Sequence, residues 1–162
     1  MTRQVQSHFF LRKAQYLFLA GNAKVALRHL KYASALGYDD SFLLGKVSEL
    51  LADNGYYEEA RIELEKALEN KPGDVKNSAW GVYYYKKREY IMAAEYFKKA
   101  LQLKPRDYFY LRNLGLALYR VGDRTEALKV MRDSLRINGN QPDLQEMIAM
   151  EAEDQEEENR AR

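Results

Sequence analysis

The sequence predicts an all-α chain of about four helical hairpins followed by one further C-terminal helix, and three observations carry that expectation. Ala26, Ala60, Ala93 and Ala127 recur at steps of 34, 33 and 34 residues. Around each of them small, bulky apolar and aromatic residues reappear at the same offsets. In three of the four copies a glycine stands five residues ahead of the alanine, at Gly21, Gly55 and Gly122. A period in the thirties marks a unit of two helices that is too small to bury its own apolar face and depends on its neighbours for a core.

Aligned on those alanines, the chain divides into copies at about 7–40, 41–73, 74–107 and 108–141, leaving 142–162 as a capping helix with an acidic tail. A second small column, Ala33, Ala67, Ala100 and Ser134, falls seven positions on, on the same helical face two turns later. Between the two lie Leu30, Leu64, Phe97 and Met131, which fill the space beside each close helix approach. Gly21, Gly55 and Gly122 end the first helix of their copies and allow a tight turn into the second. The third copy has Lys86-Lys87-Arg88-Glu89 there, so its turn must form without glycine.

The first helices carry core ridges of their own, clearest in Trp80-Gly81 with Tyr84 and in Leu111, Leu114-Gly115 and Leu118. Pro72 and Pro105 stop the second helices of their copies, since proline lacks a donor and restricts its neighbour. Asp74 and Asp107 are expected to cap the helices that follow, and Asn140 the last one. Pro142, Leu144, Met147, Ile148 and Met150 are expected to give that last helix an apolar face, and from Glu151 onward the chain reads as a solvated tail whose removal leaves stability nearly unchanged.

The ladder of Trp or Leu, Gly, Tyr, Ala, Phe, Ala and Pro resembles the tetratricopeptide repeat. The third copy is the nearest match, with Trp80, Gly81, Tyr84, Tyr90, Ala93, Phe97, Ala100 and Pro105. The first departs most, with Ala14 and Leu17 in place of the glycine and tyrosine and Tyr38 in place of the closing proline. The resemblance covers nearly the whole chain and implies a right-handed α-solenoid of about four tetratricopeptide-type hairpins, with the first helices lining a concave groove.

Composition agrees with one helical domain of 162 residues, 46% apolar and 31% charged. The absence of cysteine removes a disulfide framework and a thiol nucleophile and fits a reducing compartment. Residues 1–8 show neither a long apolar run nor a cleavage signal, and no stretch reaches about 18 uninterrupted apolar residues. The expectation is a soluble, cytoplasmic protein with no membrane insertion.

The groove positions implied by the resemblance are Phe42 and Lys46 in the second copy, Val82, Tyr85 and Lys86 in the third, and Phe109, Arg112, Asn113, Leu116, Tyr119 and Arg120 in the fourth. They mix apolar anchors with cations. Anchors supply most of an interface's energy, and cations orient an acidic or carboxyl-bearing segment. The expected function is a protein–protein interaction module or adaptor that binds a peptide or helix of a partner in this groove. A carboxylate clamp for heat-shock chaperone tails is not visible, since the corresponding positions hold Leu11 with Gln15, Lys46, and Val75 with Ala79.

Two alternatives stay open. Small chaperones of type III secretion translocators are built of such repeats and agree in size and groove chemistry. They carry three repeats behind a longer leading helix, whereas here the first repeat begins almost at once. A self-associating scaffold is the other alternative. Phe9, Phe10, Leu11, Leu17, Phe18 and Leu19 make the first helix apolar on more than one face, which suits a homo-oligomer formed through it.

An enzyme is opposed by the lack of a glycine-rich phosphate loop, of paired histidines at metal-ligand spacing and of cysteine; no catalytic residue, metal or cofactor is called for. Nucleic-acid binding has weak support. Residues 1–150 hold 24 basic and 18 acidic side chains, a modest excess, and most of the 13 tyrosines have repeat duties.

Overall fold

The computed structural model describes residues 2–37 and 41–161. Tyr38 to Asp40, where the first copy is expected to end, and the side chain of Phe42 lie outside the described residues. All regular structure among the described residues is helical: α1 (Arg3–Leu19), α2 (Ala23–Leu36), α3 (Ser41–Asp53), α4 (Tyr57–Leu68), α5 (Gly73–Lys86), α6 (Tyr90–Leu103), α7 (Tyr108–Val121), α8 (Arg124–Ile137) and α9 (Pro142–Ala161). The chain forms two compact units, Met1–Pro72 and Gly73–Arg162. The first is built on the hairpins α1–α2 and α3–α4, the second on α5–α6 and α7–α8 with α9 against α8.

The repeated columns are the core of both units. Ala26, Ala60, Ala93 and Ala127 are each 0% exposed, and Ala33, Ala67, Ala100 and Ser134 are buried beside them. Leu30, Leu64, Phe97 and Met131 are buried in turn. Ser134 keeps a polar group there because it is fully bonded: its hydroxyl donates to the Tyr108 carbonyl at 2.8 Å and accepts from Gln141 Nε2 at 3.0 Å. It thereby ties α8 to the start of α7 and to the residue preceding α9.

Each hairpin turn has the same backbone solution. The amide five residues on reaches back to the carbonyl of Leu17, Leu51, Tyr84 and Leu118, from Asn22, Tyr56, Glu89 and Asp123 respectively, at 2.8–3.1 Å. This bond requires the residue before each donor to be left-handed. Gly21, Gly55 and Gly122 adopt φ of 74°, 82° and 97°, and Arg88 takes the same place at φ 64°. The third turn therefore manages without glycine by straining an arginine. Replacing Arg88 with glycine is expected to raise stability by about 1 kcal/mol, measured as a later urea midpoint at unchanged slope.

Asp107 caps α7 as expected, accepting the Phe109 and Tyr110 amides at 3.0 and 3.2 Å. Two other cap expectations are corrected. Asp74 lies inside the first turn of α5, and its carboxylate is turned inward, taking the Tyr110 hydroxyl at 3.0 Å and Lys104 Nζ at 2.7 Å. The Lys104 ammonium, together with the Tyr110 hydroxyl, holds the Asp74 carboxyl below its ordinary range. The last helix starts at Pro142, and it is Gln141 rather than Asn140 whose carbonyl accepts the Leu144 and Gln145 amides.

The tail expectation is corrected as well. α9 runs on through Ala161, and Glu151 is only 4% exposed. Its carboxylate accepts the Tyr119 hydroxyl at 2.6 Å and lies 3.4 Å from Arg124 Nη1, so helix packing, not solvent, holds its first acidic residue. No helix among the described residues is long and apolar enough to cross a membrane.

Candidate interaction face

The second unit holds nine of the eleven expected groove residues, and four of them share one face. On α7, Phe109, Asn113, Leu116 and Arg120 follow helical spacing and share one stripe. Phe109 is 44% exposed, Asn113 and Leu116 are half-buried, and Arg120 is exposed. Asn113 spends its amide locally, donating to the Phe109 carbonyl at 2.7 Å. Phe109 stands at the start of the helix, where the Asp107 cap fixes its backbone.

Arg120 meets the neighbouring hairpin. The Tyr85 phenol, with the nearby Tyr90, favours the charged form of the Arg120 guanidinium. The Tyr85 and Tyr90 rings stand edge to face at 5.3 Å. Tyr90 in turn lines a shallow hollow of about 410 Å³ with Arg88, Glu89, Ile91, Met92 and Val121. Ile91 is 65% exposed and Val121 44%, so two large apolar side chains of the hollow face solvent. A cation beside aromatic rings thus adjoins an open apolar hollow. Such a pairing can seat an apolar side chain and orient a neighbouring carboxylate.

The other expected residues divide. Val82, Tyr85 and Tyr119 are half-buried and pack against the core cluster of Ala93, Phe97, Leu114 and Leu118, so they are less open than expected. Arg112 and Tyr119 face α9 instead of a free groove: Arg112 pairs with Asp143, and Tyr119 donates to Glu151. The Glu151 hydrogen bond, with burial second, pushes the Tyr119 phenol up from its ordinary value. Lys86 is half-buried at the end of α5. Lys46 belongs to the first unit, where it pairs with Glu49 at 2.8 Å.

The hollow itself was not foreseen. Ile91 and Met92 lie in the first turn of α6, and only their apolar character beside a turn signalled an exposed patch.

Models of the tetratricopeptide repeat match residues 43–74, 77–107 and 110–138. The mouse interferon-induced protein with tetratricopeptide repeats 3 is 30% identical over 99 residues, which make up 59% of this chain. The match spans only 25% of the mouse protein's length. Among solved structures, pilF of Pseudomonas aeruginosa superposes with a TM-score of 0.67 at 21% identity, covering 96% of this chain and 71% of that one. MamA of Desulfovibrio magneticus RS-1 gives 0.60 at 19% identity, covering 90% and 82%. YrrB, described as a repeat protein with an unusual peptide-binding site, gives 0.51 at 20% identity, covering 83% and 70%. At these identities the structures share the fold.

Proposed function

The chain belongs to the tetratricopeptide repeat family, and from that premise we propose that it is a protein–protein interaction module, an adaptor that holds a segment of a partner on the α5–α7 face of its second unit. The observation that carries this reading is Arg120, exposed beside Tyr85 and Tyr90 and next in sequence to Val121, which lines the hollow with Tyr90, Ile91 and Met92. A residue that served only solubility has no need of aromatic neighbours, and large apolar side chains left open are costly unless something covers them. Phe109 extends the same apolar character along α7. The segment that fits is short and extended or helical, with one large apolar side chain for the hollow and a carboxylate for Arg120. Complexes of this kind reach micromolar affinity, about −8 kcal/mol, when two or three anchors are buried.

Selection of binders from a random peptide library on the intact chain tests this. Enriched peptides are expected to pair an apolar residue with an acidic one. The Phe109→Ala, Arg120→Glu double variant is expected to bind them at least about tenfold more weakly, with helicity by circular dichroism unchanged. Equal binding by the variant would remove this face from consideration.

A further inference from the structure

The first and last helices carry opposite charge. Residues 1–37 contain six lysines or arginines, two histidines and no acidic residue, whereas residues 142–162 contain eight acidic residues and two arginines. Part of this charge, Arg12 and Lys13 on α1 and Glu146, Glu153 and Glu157 on α9, is exposed.

On α1, Val5, Phe9, Arg12, Lys13 and Tyr16 follow one helical stripe, opposite the buried Ser7, Leu11 and Ala14. Val5 is 50% exposed, Phe9 52% and Tyr16 70%. The Lys13 ammonium lies 5.9 Å from the centre of the Phe9 ring. Phe9 touches Phe10 edge to face at 5.7 Å, and Phe10 in turn meets His29 at 5.6 Å and Tyr32 at 5.5 Å, which carries the aromatic surface onto α2. Burial, then the positive charges of Lys13 and Arg28, lower the His29 imidazole from its ordinary value, a sign of how closely cations crowd this surface.

On α9 the buried side is Leu144, half-buried Met147 and Ile148, and Glu151. Glu146, Met150, Glu153 and Glu157 follow helical spacing on the opposite side and are all exposed, Met150 by 59%. That stripe offers one soft apolar side chain among carboxylates. The α1 stripe offers aromatic and aliphatic side chains among cations. The two are complementary in both charge and apolar character, and one copy of the chain carries both.

We propose that the chain associates head to tail, the α1 stripe of one copy docking on the α9 stripe of the next. A symmetric contact of α1 with α1, or of α9 with α9, would set like charges against each other. A contact between two different faces is heterologous and propagates, so the product is a string or ring of copies. Its charged component is exposed to solvent and therefore sensitive to salt.

Sedimentation velocity of the whole chain over a range of concentrations tests the proposal. Mass is expected to rise with concentration at about 0.1 M salt and to fall back to the monomer near 1 M, as the Debye length shrinks from about 10 Å to about 3 Å. The Arg12→Glu, Lys13→Glu variant and the Glu153→Lys, Glu157→Lys variant should each be monomeric with helicity intact, because all four positions are surface ones. An equimolar mixture of the two reversed variants should assemble again, since the acidic α1 of one then meets the basic α9 of the other. A wild type that stays monomeric throughout would overturn the proposal, as would assembly that survives either reversal or a mixture that fails to restore it. A chain that stays monomeric yet floats with phosphatidylserine vesicles would assign the cationic face to lipid instead.

Discussion

Truncating Phe97 to alanine is expected to lower stability by about 3–5 kcal/mol, the range for deleting a fully buried aromatic ring from a core that cannot collapse around the gap. Phe97 is 0% exposed, and a Cβ placed on Gly81 would stand 2.8–2.9 Å from three atoms of its ring. The ring therefore fills the space that a missing side chain on α5 leaves open. Gly115 and Met131 repeat the arrangement one copy on, with an added Cβ 2.6 Å from the Met131 Cγ. In the first two copies the equivalent positions hold Ala14 with Leu30 and Ser48 with Leu64, a larger residue on one helix matched by a smaller one on the other. Gly81→Ala alone should then overpack the core and cost about 1–3 kcal/mol. Combined with Phe97→Leu it should cost less than the two single changes together, by a coupling of about 0.5–3 kcal/mol. Urea unfolding followed by the fluorescence of Trp80, the sole tryptophan, reports on the unit that holds both residues. Strict additivity would mean that the glycine and bulky columns do not meet.

The same pairing explains why so much of the fold was legible. Small and bulky columns face one constraint repeated four times, so a period of about 34 residues exposes them in a single chain. The turns were legible for the same reason, down to the one copy without glycine, where Arg88 takes on the left-handed conformation. What the sequence hid were side chains whose partners are remote and obey no period. Asp74 reads locally as a cap, yet its partner Tyr110 is 36 residues away, and Glu151 reads as tail, yet its partner Tyr119 is 32 residues away. The candidate face was half legible. The α7 stripe of Phe109, Asn113, Leu116 and Arg120 follows from helical spacing alone. The nearness of Arg120 to Tyr85 and Tyr90 and the hollow lined by Tyr90 and Val121 depend on where the end of α7 meets the start of α6, and no spacing within one helix encodes that. Nor did spacing show that Arg112 and Tyr119, on the same helix as the stripe, are turned toward α9.

Stepwise shortening of the terminal helix is expected to give an abrupt loss where a tail would give none. Removing residues 153–162 takes away Glu153, Asp154, Glu156, Glu157 and Arg160, all exposed, and the stability should stay within about 0.5 kcal/mol of the intact chain. Removing residues 151–162 also takes Glu151, leaving the Tyr119 hydroxyl without its acceptor at 2.6 Å and Arg124 without its nearby carboxylate. That step should cost about 1–2 kcal/mol, the lower part of the range for a stranded polar group, because Tyr119 is only half-buried. The largest effect belongs to the helix's apolar side. Leu144 is 0% exposed, and Leu144→Ala should cost about 2–5 kcal/mol in the full-length chain. The ordering of the three values is the decisive result. If α9 merely dangled from the last hairpin, all three changes would be equally silent, and Gln141, Leu144 and Glu151 would have no reason to be buried. If it closes the open face of α7–α8, the cost must rise from nothing beyond residue 152 to its full size at Leu144, because a helical hairpin buries its apolar face only against a neighbour. In this chain that neighbour is a single helix whose inner stripe is apolar and whose outer stripe is acidic, so one segment both completes the core and sets the charge of the surface beyond it.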